Sequence, residues 1–275
     1  MNRRLFLTQA AAVSAAPLLA AAEKSSALID CNLHLGPHPT RALPEIDEAF
    51  LTKRDISEAW AGSFEALLHR DIGAVNERLV KRCAASSRLH PVGSVNPRLP
   101  AWQSDLRICA EKHRMPMIRL YPNHHGYTLA DDVFLRLLDE ATKLKLCVQI
   151  VAQLEDQRSQ SPLMQVPPVD LKPLAEAMKQ VPDARVMVLN ANASMITTAL
   201  RGCTKVWVDI AMIEGVGGVE NLLSTWPADK VCFGSHAPFF YWESASLKMQ
   251  ESVLKVDELS GIRSGNARSL LAAAS

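Results

Sequence analysis

An α/β chain closed into a single (β/α)8 TIM barrel is predicted by three observations. Short apolar runs alternate with amphipathic stretches through residues 23–275. Eight such runs begin about 20 to 40 residues apart, the spacing of a strand followed by a crossover helix. No glycine-rich dinucleotide turn follows the first run, which counts against the doubly wound open sheet that the same alternation allows.

Taken in order, residues 1–22 (MNRRLFLTQAAAVSAAPLLAAA) stand apart from the fold. Arg3 and Arg4 precede an apolar, alanine-rich run that ends in small residues. This is the pattern of a cleaved signal peptide of twin-arginine type, with a periplasmic or otherwise exported destination. The run is a poor membrane span, and no later segment is long and apolar enough for a stable one. The expected strands are residues 27–34, 56–61 (the weakest), 89–95, 116–121, 146–152, 185–189, 206–211 and 230–234. Helices are expected over 71–86, 131–145, 171–181, 219–226, 243–253 and 257–273, with Asp131 or Asp132 and Asp170 as caps. Residues 35–55 and 155–170 are the longest irregular stretches, and the second, with Pro162, Pro167 and Pro168, is placed to be a lid. There is no internal repeat or linker, so residues 23–275 form one domain.

The chain carries 30 Lys and Arg against 29 Asp and Glu. Loss of residues 1–22 removes two positive charges and leaves it near neutral, without a basic field for nucleic acid or acidic lipid. Six cysteines, none in a CxxC pair, are expected as free buried thiols, because a chain of this size does not need disulfides.

In such a barrel the chemistry lies at the C-terminal ends of the strands. There the sequence is polar. The first strand carries Asp30, Asn32 and His34, placed on one face by period-two alternation. The fourth carries Arg119 and Tyr121 and runs on to His124 and His125, and the fifth carries Gln149 and Gln153. The sixth ends at Asn190 and Asn192, the seventh holds Asp209, and the eighth ends at His236. Each position alone has an ordinary explanation, since buried polar residues commonly satisfy loop backbone. Their convergence at one mouth is what points to a site. Phe239 to Trp242 beyond the eighth strand read as packing for the next helix, a pocket wall or a subunit contact.

Four stretches carry a resemblance. Residues 28–36 (LIDCNLHLG) resemble the Asp-x-His-x-His-x-Gly opening strand of the amidohydrolase superfamily. Residues 115–126 (MPMIRLYPNHHG) and 231–240 (VCFGSHAPFF) resemble the fourth and eighth strands of its amidohydrolase-related branch. Residues 265–271 (GNARSLL) resemble the helix that closes these proteins. The resemblance implies a (β/α)8 hydrolase or decarboxylase. Histidines of the first strand, with help from the fifth and sixth, would bind one divalent metal, usually zinc. The metal activates water while an eighth-strand aspartate moves the proton. The sequence departs from that pattern. Asn32 stands for the first histidine, Gln149 or Gln153 and Asn190 stand for the fifth- and sixth-strand histidines, and His236 stands for the aspartate. Amides are weak zinc ligands and bring no negative charge.

Three readings stay open: a metal held by His34 and His236, a metal-free enzyme with His236 or His124 as general base, and a small-molecule-binding barrel without catalysis. The expected substrate is a small organic amide, ester or lactone. His34 and His236 are the expected catalytic or metal residues. Asn32, Arg119, Tyr121, His124, Gln149 and Asn190 are the expected substrate contacts, with Arg119 suited to a carboxylate or carbonyl. The sequence leaves the oligomeric state open.

Overall fold

The computed structural model describes residues 27–203 and 205–272; the expected export signal at residues 1–22 lies outside them. The strands are β1 (Leu28–Leu35), β2 (Ile56–Ser63), β3 (Leu89–Pro91), β4 (Gly93–Ser94), β5 (Met117–Leu120), β6 (Cys147–Val151), β7 (Arg185–Leu189), β8 (Trp207–Asp209) and β9 (Val231–Cys232). They form two parallel sheets, β1-β2-β3 and β4-β5-β6-β7-β8-β9. Backbone hydrogen bonds join the sheets at both edges. The Val92 N–H donates to Ala61 O at 2.8 Å, and the N–H groups of Cys31 and His34 donate to Phe233 and Ala237, each at 3.0 Å. The ladder therefore runs round as a ring. The expected third strand is divided at Val92, where β3 leaves β2 and β4 takes up β5. Pro91, with no N–H to give, sits at that change of neighbour.

The helices are α1 (Glu48–Lys53), α2 (Ile72–Cys83), α3 (Trp102–Arg107), α4 (Asp132–Lys143), α5 (Leu174–Gln180), α6 (Ala193–Ala199), α7 (Gly218–Leu223), α8 (Trp242–Glu251), α9 (Val256–Ser260) and α10 (Asn266–Ala272). In α2 the buried Ile72, Val75, Leu79 and Cys83 make one apolar stripe, and the Asp71 side chain accepts from the Ala74 N–H at 2.9 Å. Asp131 precedes α4, but its carboxylate is turned to Thr128 instead of capping the helix. Asp170 likewise bonds the Lys172 N–H, and α5 starts later, after Pro173. The single helix expected over 257–273 is α9 and α10 joined by a π-type turn at Gly261–Gly265. Asn266 ends that turn and donates to the carbonyls of Ala228 and Val231, which ties α10 beneath β9.

Two apolar layers result. One lies between strands and helices, and the other fills the ring with Ile29, Cys31, Met117, Cys147, Met187 and Cys232 among others. Each such side chain contributes roughly 1.5–3 kcal/mol when fully buried. All six cysteines are free and buried, as expected. Among the described residues no helix is long and apolar enough to cross a membrane.

Candidate functional site

The first strand does not keep the alternation that its sequence suggests. Its pairing with β2 shifts register between Asp30 and Leu33. A bulge changes which face successive side chains meet. Ile29 and Cys31 join the interior apolar layer. Asp30 instead turns its Oδ1 to the N–H groups of Asn32 and Ser235, both at 3.1 Å, and so clasps β1 to the chain beyond β9. Beyond the shift, Asn32 and His34 point into the ring.

Asn32 is the hub of a buried amide–carboxylate network. Its Nδ2 donates to Asn190 Oδ1 and to Asp209 Oδ2, both at 2.7 Å, while Asp209 Oδ1 accepts from the Asn190 N–H at 2.8 Å. Burial comes first among the causes that raise the Asp209 carboxyl to about 6, and these hydrogen bonds oppose it. Gly234 makes room for the pair: a Cβ there would lie 2.7 Å from Asp209 Oδ2 and 3.1 Å from the Asn32 Cβ. Asn190 holds a left-handed backbone, φ 58°, a conformation that asparagine tolerates better than most residues.

His34 and His236 meet, with ring centroids 5.1 Å apart and planes at 81°. Both are fully buried. Phe64 stacks on His34 at 4.6 Å. His236 takes φ 58°, its Nε2 lies 2.8 Å from Leu154 O, and its Nδ1 has no partner. The carbonyl can only accept, so Nε2 carries the proton and Nδ1 presents a bare lone pair. Burial pushes His236 down to about 3 and His34 well below its ordinary value, with the positive charge of Arg119 acting the same way on both. Phe239 and Phe240 roof His236, at 5.2 and 5.0 Å between centroids.

The other expected contacts sort into two groups. Tyr121 is buried, its hydroxyl 3.4 Å from Ser63 O, and it forms wall rather than pocket lining. Gln149 is taken up by Arg119 and by the carbonyl of Cys31, and Arg119 itself donates only to protein groups. Both side chains, expected as substrate contacts, spend their hydrogen bonds within the protein. His124 is half-buried near the mouth and pushed down to about 4, chiefly by burial. The companion His125 is held by Ala66 O at 2.9 Å.

Two cavities open on this region. One, of about 360 Å³, reaches His34 past Gly36, Pro37, Arg41 and Pro238. The other, of about 660 Å³, is lined by Arg41, Gln153, Asn192, Met212, Phe239 and Lys248. Phe239 is thus a pocket wall, whereas Trp242 packs against Phe233 and Tyr241 is exposed. Arg41 stands between the two cavities, its guanidinium 5.0 Å over the Phe239 ring and paired with Glu155. Sequence reasoning missed Arg41 and Lys248, which donates to Ile210 O and Ala211 O at the end of β8. Both lie outside the strand ends on which that reasoning relied.

The donor set does not fit the divalent ion that the motifs imply. Among the described residues no three His, Cys, Asp or Glu side chains are grouped to hold one. Asn32 offers an amide, and Asp209 spends both oxygens on hydrogen bonds. The Arg119 guanidinium also lies 3.2 Å from His34 Nε2. A divalent ion roughly 5 Å from such a charge is opposed by ~7 kcal/mol at an effective dielectric of about 20. His34 and His236, the expected metal pair, meet ring to ring, and burial favours the neutral form of both.

A scan against protein-family models and a search of curated proteins give no match. Solved structures do match. IDCase of Metarhizium anisopliae aligns at a TM-score of 0.68 and 13% identity, over 91% of this chain and 98% of that one. A 5-carboxyvanillate decarboxylase of Novosphingobium aromaticivorans, carrying manganese and 3-methoxy-4-hydroxy-5-nitrobenzoic acid, aligns at 0.73 and 12%, over 91% and 98%. An amidohydrolase II aligns at 0.67 and 15%, over 90% and 100%. This chain shares their fold.

Proposed function

We propose that this chain is a metal-independent enzyme of the amidohydrolase-related barrel type, acting on a small organic ester, lactone or amide. The observation that carries this is the bare, buried Nδ1 of His236, beside His34, on a ring fixed by the Nε2–H bond to Leu154 O and by a left-handed backbone. Backbone of that kind is costly for a non-glycine residue and tends to persist where a side chain must be aimed. In this reading a water hydrogen-bonded to Nδ1 gives up its proton there as its oxygen attacks the substrate carbonyl. The imidazolium so formed returns the proton to the leaving group. His236 is a weak base while the site is dry, and negative charge developing on the substrate beside it strengthens it. The polar network around Asn32, Asn190 and Asp209 sets the floor of the site, and Phe239 and Phe240 exclude bulk water.

A second reading, a barrel that binds without turnover, is favoured by the complete burial of both imidazoles. The test is turnover by chelator-dialysed protein on a panel of esters, lactones and amides. Aromatic carboxylic acids are added because the structural neighbour from Novosphingobium aromaticivorans is a decarboxylase. Hydrolysis that survives the chelator and falls at least ~100-fold in His236→Ala supports the proposal. Undiminished turnover in His236→Ala, or turnover only on metal addition, overturns it. Binding without turnover selects the second reading. Export through the signal at residues 1–22 is proposed alongside, and fractionation of cells carrying Arg3→Lys with Arg4→Lys tests it.

A further inference from the structure

Among the described residues Arg119 is the one arginine of the buried interior. Its five N–H groups are all committed. Nε donates to Gln149 Oε1 at 2.8 Å and one terminal nitrogen to Leu33 O at 2.8 Å. The other terminal nitrogen donates to Cys31 O and Trp60 O, each at 3.2 Å. The remaining N–H meets His34, at 3.2 Å from Nε2 and 3.4 Å from Nδ1. A nitrogen almost equally far from both ring nitrogens lies over the face of the imidazole, not in line with either lone pair. Phe64 stacks on the ring at 4.6 Å and 15°. His34 is thereby in contact with both a phenyl ring and a cation. β2 is shaped for this: a Cβ on Gly62 would lie 2.8 Å from the Arg119 terminal nitrogen and 3.0 Å from its Cδ.

We propose that Arg119 is the resident cation of this barrel, a fixed single positive charge that ties β1, β2 and β6 together and bars a divalent ion from His34. The counter-charge is of carboxylate kind. Asp30 and Asp209 are the two buried aspartates of the ring, and three of their four carboxylate oxygens are already held by hydrogen bonds. Five directed donors do for the strand ends what a metal does by coordination, and they leave no site to reload. The assignment holds whatever reaction the site performs.

The test is calorimetric titration of Mn²⁺ and Zn²⁺ into the full-length protein, His34→Ala, Asn32→His, and Asn32→His combined with Arg119→Met. Asn32→His places a second imidazole two residues from His34. The wild type and Asn32→His are expected to bind neither ion at an affinity that loss of His34 alters. The double variant is expected to gain one equivalent at least ~100-fold tighter than Asn32→His. Circular dichroism checks that it folds. Should it not, Gly62→Ala replaces Arg119→Met, because its methyl group displaces the guanidinium and must produce the same gain. One equivalent of metal in the wild type that His34→Ala abolishes overturns the proposal. So does equal affinity in Asn32→His and the folded combination variant. Metal uptake is read without turnover, so the titration tests Arg119 even in a protein inactive on the ester panel.

Discussion

At the residue scale, the interior is governed by which groups stay neutral. His34, His124 and His236 are all pushed below the ordinary histidine value, burial being the largest cause for each, with His236 at about 3 and His124 at about 4. A group depressed on folding supports the fold above its unfolded pKa, near 6.5, and that support drains as pH falls toward the folded value. The loss is about 1.4 kcal/mol per pH unit for each fully buried histidine. Asp209, raised to about 6, and Asp30, also raised, act with the opposite sign, favouring the fold at low pH and losing that contribution as pH rises. Between about pH 4 and 6 the three histidines outnumber the two aspartates, so the net effect follows the histidines. The urea midpoint should therefore drop between pH 7 and pH 5, with a shallower slope in His236→Asn. A midpoint that holds or rises on acidification would contradict the neutral imidazoles.

Strand ends show how much of the site could be read from the chain. The polar residues were visible as residues, because amides, histidines and an arginine at the ends of apolar runs are conspicuous. Their roles were not. Arg119 looks like a carboxylate clamp until its five donors are counted, and that count depends on carbonyls of Cys31, Leu33 and Trp60, which no motif encodes. The register shift in β1 was equally hidden, since bulges leave no mark on an eight-residue run whose every side chain is buried. Short helices such as α1, α3 and α6 have too few turns to show a period. The place of Gly234 at the end of β9 leads to a test. Gly234→Ala pushes a methyl group into the Asn32–Asp209 pair and should cost about 1–3 kcal/mol of stability by denaturant titration. A neutral result would mean that the pair has slack which its 2.7 Å bonds do not suggest.

For the whole molecule, the alternation of runs was enough to give the architecture, since a parallel ring buried on both faces needs both the apolar strands and the covering helices. It gave the thiols too. Six buried, unpaired cysteines predict that thermal unfolding of the native protein is the same with and without dithiothreitol, and a fall in the midpoint under reductant would reveal a disulfide.

The clasp from Asp30 to the Ser235 N–H joins positions 205 residues apart. A polypeptide still on the ribosome and lacking residues 231–275 can lay down most of its helices but has no β9 to shut against β1. Until then His34 and Asn32 face an open seam, and unpaired strand edges lie bare to other chains. Maturation of the site is thus a late, non-local event, slow in proportion to the loop it must close. Chaperone dependence of newly made protein should end abruptly once translation passes the final strand.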